Sequence, residues 1–193
     1  MDSHLFVMPN WTAPLDVAEY VAGIPLAASI KGVFPSAVAH AARANKVALS
    51  TARDRYHAFS DVPLREYVPM LAETAAGMYP RLPQREAIRK LGRSAVGAIS
   101  GSMFGRILLT GFLDMKANLA VYAKAASVIT PSATVEVIEL EPHRAVLRMS
   151  RVYTFLDSHH VGILEKVGGA SNVRIEARLR MTTPYDGEIE LTW

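Results

Sequence analysis

The spacing of hydrophobic positions changes once along the chain, near residue 134, from a period of three or four residues to a period of two. Before the change, Leu64, Val68, Leu71, Ala75 and Met78 form one stripe, and Ile88, Leu91, Ala95 and Ile99 form a second. Pro63 and Pro83 stand where each of these helices should open, Tyr79-Pro80 should close the first, and Pro69 should kink it or shift its start. Upstream, Ser36 is read as the N-cap of a helix reaching about Leu49, and Asp114 to about Val128 is read as another helix. After the change, Val173, Ile175, Ala177, Leu179 and Met181 alternate with polar residues in a strand set at Asn172 to Thr182. Ile189, Leu191 and Trp193 alternate in its return strand, after a turn at Pro184 to Gly187. Thr134 to Leu140 and Arg144 to Val152 read as an earlier hairpin. Between the hairpins, Asp157 to Val167 reads as a short helix ended by Gly168-Gly169.

The order of elements therefore predicts an α+β domain: an N-terminal helical half, about 36–129, followed by a β-β-α-β-β antiparallel sheet over 134–193. Residues 1–21, interrupted by Pro9 and Pro14, are read as an N-terminal arm, and 22–193 as one domain. The arm carries Leu5, Phe6, Val7, Met8 and Trp11, side chains expected to lie over the body of the same or a neighbouring subunit. A chain of 193 residues suits a single core.

Composition narrows the chemistry. There is no cysteine, which removes thiol nucleophiles, thiolate metal sites, disulfides and acylated cysteine together. The sequence starts without the basic region of a signal peptide, and its uncharged stretches are too short to span a bilayer, so a cytoplasmic location without a membrane span is expected. A net charge of +3 does not by itself imply nucleic-acid binding. Its distribution is more telling. Between Arg81 and Arg106, six basic residues face the single acid Glu86, a local balance of +5 that leaves −2 for the rest.

Within that segment Arg85, Arg89 and Arg93 fall four apart, with Arg106 further on. A solvated helix face explains such a stripe most simply, and a surface for a carboxylate, a phosphate or an acidic protein partner is the sharper alternative. No stacking aromatics are interleaved with the arginines, so nucleic acid is not expected. Gly97, Gly101 and Gly105 recur every four residues and predict a face that another helix, or a ligand, approaches closely. Metal-protease, phosphate-loop, Gly-x-Ser-x-Gly and Ser-x-x-Lys patterns are all missing, so the chain is not expected to be an enzyme. His159-His160 is the only paired histidine; neighbours on a helix point about 100° apart, which makes surface or N-terminal helix positions the simple reading. His57 and Asp61, four apart, sit in an expected loop.

Tyr79-Pro80-Arg81-Leu82-Pro83-Gln84-Arg85-Glu86-Ala87, then Leu91-Gly92-Arg93, Gly105-Arg106-Ile107-Leu108-Leu109, Gly169-Ala170-Ser171-Asn172-Val173-Arg174-Ile175-Glu176 and the terminal Trp193, resemble the signature of a myxobacterial paralogous family of unknown function. The resemblance runs from about Ala22 to the C-terminus, with Val62-Pro63 and Tyr67 as departures that look like packing substitutions. The element order also resembles the fold shared by haem-nitric-oxide-binding domains, vinyl-reductase-type ligand-binding domains and vesicle-tethering subunits. That second resemblance implies a scaffold able to enclose an apolar small molecule between helices and sheet, or to dimerise through its helices. The haem branch uses an axial histidine and Tyr-x-Ser-x-Arg, and the latter pattern does not occur in this chain, so no cofactor is expected and haem is set aside. The resulting expectation is a non-enzymatic, homodimeric small-molecule-binding or regulatory domain with an apolar pocket. An interaction adaptor that binds no ligand is the alternative.

Overall fold

The computed structural model describes residues 5–100 and 114–193. The helical half contains α1 (Val17–Ala22), α2 (Val33–Ala44), α3 (Leu64–Met78), α4 (Gln84–Ser100) and α5 (Met115–Ile129), with a two-stranded ribbon of β1 (Ser29–Lys31) and β2 (Asp61–Pro63). The sheet half contains β3 (Thr134–Leu140), β4 (Arg144–Ser150), a π-helical turn (Leu156–His160), α6 (Val161–Ala170), β5 (Glu176–Thr183) and β6 (Asp186–Thr192). The expected α+β order is the observed one.

The sheet is antiparallel throughout, in the order β3-β4-β6-β5. Its register aligns Val137, Leu147, Ile189 and Leu179 in one row across all four strands, on the face covered by α5 and α6. The neighbouring row, Glu136, Arg148, Glu188 and Arg180, faces the other way. Glu188 accepts from Arg148 Nε at 3.2 Å and from Arg180, cross-strand pairs worth about 0.2–1 kcal/mol each.

Two apolar cores result. One lies among α1–α4 and contains Ile24, Leu64, Met70, Leu71 and Ile88; the other lies between sheet, α5 and α6 and contains Leu119, Leu147, Leu164 and Ile189. Consecutive residues Phe155 and Leu156 are fully buried in different cores, Phe155 in the helical one and Leu156 in the sheet one. Phe155 has a left-handed backbone, φ 56°, and that reversal lets the chain switch cores within one residue.

Several element boundaries differ from the sequence reading. Helix α2 opens at Val33 behind Gly32, not at Ser36, because Pro35 fits a first turn whose N–H groups have no helical partner. It ends at Ala44, where the Asn45 side chain donates to the Ala41 carbonyl at 2.8 Å and Lys46 turns to φ 58°. Helix α3 runs through Pro69. The helix after the first hairpin begins as a π turn and continues past Gly168-Gly169 to Ala170. Asn172, at φ 57°, terminates it: the Val173 N–H donates to Gly168 O at 3.0 Å and the Asn172 N–H to Gly169 O at 3.3 Å. Strand β5 therefore starts at Glu176 rather than Asn172.

The described part of the N-terminal arm is tied to its own chain, although the Leu5, Val7 and Met8 side chains expected to cover the body stay exposed. Val7 exchanges two backbone hydrogen bonds with Leu179 at 2.8 and 2.7 Å, covering part of the outer edge of β5. Regular structure begins within the span read as irregular, at α1, where Asp16 caps the helix by accepting from the Glu19 N–H at 3.0 Å. No helix among the described residues is long and apolar enough to cross a membrane.

Candidate functional site: an apolar cavity where the two cores meet

The π-helical turn positions the site. Its wide loop is closed by an N–H donated from His160 to Phe155 O at 3.4 Å, a five-residue step in place of the usual four. Below it α4 comes very close. A Cβ on Gly92 would run into the His159 carbonyl oxygen, and a Cβ on Gly162 would run into the Arg89 carbonyl oxygen. Two missing side chains thus let α4 seat directly against the π turn and α6.

On its other side the turn faces a cavity of about 140 Å³. Ile30, Phe34 and Tyr67 reach it from the helical half, Tyr122, Ala126 and Ile129 from α5, and Val135 and Val152 from the sheet side. His159 and His160 both line it, their rings edge to face at 5.7 Å. Of the simple reading, the N-terminal helix position holds, since both histidines lie in the turn that opens α6, and the surface position does not hold for His159, which is buried. The sequence could not reveal the widened turn, which is what turns both rings inward.

The two histidines differ sharply. His160 is fully satisfied: Nδ1 lies 2.6 Å from Tyr122 Oη, and Nε2 lies 2.6 Å from Thr154 Oγ1. A neutral ring has one donor and one acceptor nitrogen, so one hydroxyl donates to it and the other accepts from it. Burial, with the neighbouring His159 adding to it, lowers the His160 pKa to about 3. His159 is the more buried of the two, at 5% exposure, yet among the described residues neither Nδ1 nor Nε2 has a hydrogen-bond partner. Burial alone lowers its pKa to about 4, so the ring is neutral at physiological pH and offers one donor and one acceptor. The described lining residues include no Asp, Glu, Lys or Arg. Burial also raises the pKa values of Tyr67 and Tyr122, keeping both phenols protonated. Asn118 Nδ2 donates to Ser171 Oγ at 2.6 Å, tying α5 to the end of α6.

The residues singled out by charge and glycine spacing lie elsewhere. Arg85 binds Asp157 of the π turn and also donates to the Ala13 and Pro14 carbonyls of the arm, at 3.3 Å each. Arg89 is chelated by Glu165 of α6, at 3.0 Å from Nε and 2.6 Å from Nη2, and by Glu86 at 2.9 Å, with the Trp11 ring stacked 4.6 Å away. Burial opposes the Arg89 charge, but the two carboxylates outweigh it and hold the guanidinium above its ordinary pKa. Arg93 lies 3.7 Å from Glu165 with its side chain half exposed. Within the stripe Arg85 and Arg89 join α4 to α6, the π turn and the arm, while Arg93 stays half exposed. Arg106, Gly101 and Gly105 lie outside the described residues, and Gly97 falls on α4. The close approach that the structure does describe uses Gly92 and Gly162. Asp61 pairs with Lys31 at 2.8 Å, so the His57–Asp61 spacing marks no acid–base pair.

Comparison with known proteins places this architecture. Residues 26–193 match the family described as protein of unknown function (DUF2378), and the chain belongs to that family. No curated protein matches it. Among solved structures, the fold is that of H-NOX domains. An Fe(II) unliganded H-NOX protein from K. algicida matches at 12% identity with a TM-score of 0.61, covering 84% of this chain and 96% of that one. An oxygen-binding H-NOX domain related to soluble guanylate cyclases matches at 11% identity with a TM-score of 0.66, covering 84% and 94%. A third, from work on haem distortion in the H-NOX family, matches at 11% identity with a TM-score of 0.64, covering 85% and 95%.

These matches overturn the expectation that the chain takes no cofactor and that haem can be set aside. The absence of one short sequence pattern does not outweigh a fold shared, over most of the chain, with proteins studied for their haem. The described residues fit that group in part. His159 offers a neutral imidazole nitrogen in an apolar wall, the donor type that holds haem iron in many proteins. The described lining provides no arginine or lysine for the propionates, and about 140 Å³ is less than a porphyrin fills.

Proposed function

We propose that the chain is a non-enzymatic small-molecule-binding domain with a regulatory role, which encloses its ligand in the cavity between α5, the π turn and the sheet. The observation that carries this reading is the cavity itself: a mostly apolar space at the join of two cores, with one deeply buried imidazole that has no partner among the described residues. Leaving such a group unpaired costs about 1–3 kcal/mol, and a bound ligand removes that cost. The oxygen-binding H-NOX neighbour, which holds a small ligand in the same fold, supports the reading by analogy. In this reading the domain is cytoplasmic and homodimeric through its helical half.

Native mass spectrometry of the full chain tests the proposal, with an excess mass lost on denaturation as the expected result. Titration with haemin in the same preparation shows by its absorbance whether the imidazole takes iron. Sedimentation velocity reads the dimer. A clean apo mass, no thermal stabilisation across a small-molecule panel and no haemin spectrum would together sink the reading.

A further inference from the structure

The geometry points to a specific ligand class for this cavity: an uncharged molecule about the size of a single six-membered ring, carrying one hydroxyl or comparable donor–acceptor group that hydrogen-bonds to His159. This inference rests on the ligand-binding reading above and deepens it.

Size comes first. An apolar cavity of roughly 150 Å³ is known to admit a benzene-sized guest and to stay dry without one. The volume here, about 140 Å³, is of that order. Charge comes next. A carboxylate or ammonium brought into this wall would find no Asp, Glu, Lys or Arg among the described lining residues, and burying an unpaired ion is prohibitively costly.

The single polar group follows from the contrast between the two rings. His160 has both nitrogens occupied by Tyr122 and Thr154, so it belongs to the wall. Among the described residues neither ring nitrogen of His159 has a partner, and the lining around it is mostly, though not wholly, apolar. A hydrocarbon side chain would seat there without the cost of an unpaired imidazole. A neutral ring that presents one donor and one acceptor complements a hydroxyl, which is also both. The π turn holds His159 firmly, because its carbonyl oxygen is packed against Gly92, so the nitrogens are presented by a fixed element. A site of this kind discriminates mainly against analogues that lack the hydrogen-bonding group, since these leave the imidazole unpaired.

The test uses the full chain and three probes: cyclohexanol, cyclohexane and cyclohexylammonium. Binding is read by titration calorimetry and by ¹⁵N shifts of the His159 ring. Cyclohexanol should bind roughly three- to tenfold more tightly than cyclohexane, shift the His159 nitrogens, and far exceed cyclohexylammonium. In His159→Leu the order should invert, because the hydroxyl then enters an apolar wall without its partner. Cyclohexane binding as tightly as the alcohol to the native protein, alcohol binding without a His159 shift, or an unchanged preference in His159→Leu would each overturn the inference while leaving the pocket standing. If none of the probes binds, the pocket reading falls and the inference falls with it. The native-protein comparison and ring shifts decide the matter even where the variant folds poorly.

Discussion

The π turn Leu156–His160 separates two regions with opposite chemistry. On one side Asp157 meets Arg85, and just beyond it Glu165 chelates Arg89, so the α4–α6 seam is rich in charge and internally satisfied. On the other side His159 lines a cavity with no charged residue among the described lining, and among the described residues its nitrogens have no partner. The seam attracts attention in a sequence because arginines four apart are conspicuous. The cavity is inconspicuous for the reason that makes it interesting: apolar residues and one neutral imidazole leave a weak sequence signal. Charge density here marks where the molecule is held together, and the unpaired neutral group lies apart from it.

Acidification should break this arrangement first and most severely. Both rings stay neutral when folded, with pKa values of about 4 and about 3, while the unfolded chain takes up these protons near the ordinary value of 6.5. Between those limits the unfolded state binds more protons, so stability falls as pH drops below about 6.5. The slope is on the order of 1 kcal/mol per pH unit for each ring. Urea midpoints measured from pH 7.5 to 4.5 should decline steadily, and a flat profile would mean that the histidines are not buried as described.

A methyl group at Gly162 should have the next largest effect. The added Cβ meets the Arg89 backbone carbonyl, which cannot rotate aside, so Gly162→Ala should cost about 3 kcal/mol by forcing α6 away from α4. Gly169→Ala is the matched control, since a Cβ there meets nothing and the change should be nearly neutral. Equal stabilities for the two variants in chemical denaturation would contradict the close approach on which the turn's position depends.

Much of the fold can be read from the sequence because period and burial are local properties. The alternation from Ala177 to Leu191 and the stripe from Leu64 to Ala75 announce their elements directly, and those residues are buried as the patterns require. The glycines mislead because glycine has more than one use. Gly168 reads as a helix stop, but it allows Ile175 to pack against the helix where a Cβ would collide, while the stop itself falls to Asn172. The cavity was foreseen only as a general place between helices and sheet. Its key residue was missed because the inward turn of His159 depends on a backbone reversal at Phe155 and a widened turn after it, neither of which has a distinct residue pattern. A weak signal did exist: adjacent histidines in a run otherwise bound for a core, between Val152-Tyr153 and Val161.

Paired substitutions sharpen the comparison energetically. Arg89→Met removes the partner of two poorly exposed carboxylates and should cost about 1–2 kcal/mol. His159→Leu should leave the ligand-free protein as stable as before or more stable by about 1 kcal/mol, because it removes a buried group that has no partner. Opposite signs in these two variants, read from denaturation midpoints of ligand-free protein, would confirm that satisfaction distinguishes the regions. A loss of stability in both would show that His159 has a partner inside the native protein.

The smallest effect belongs to Arg93, and it separates the two uses first imagined for the arginine stripe. Its guanidinium lies 3.7 Å from Glu165, which Arg89 already chelates at shorter range, and its side chain is 53% exposed. An exposed pair of this kind contributes little, so Arg93→Ala should change stability by less than about 0.5 kcal/mol. If the stripe instead served an acidic partner, Arg93 is the member of the described trio whose charge that partner could reach without first breaking an internal ion pair. Arg93→Glu should then leave folding intact and abolish capture of an acidic peptide, whereas a stripe used as internal cement predicts no capture by either form. Peptide binding measured beside the denaturation curves reads both outcomes, and the saturation of Arg85 and Arg89 argues for the second.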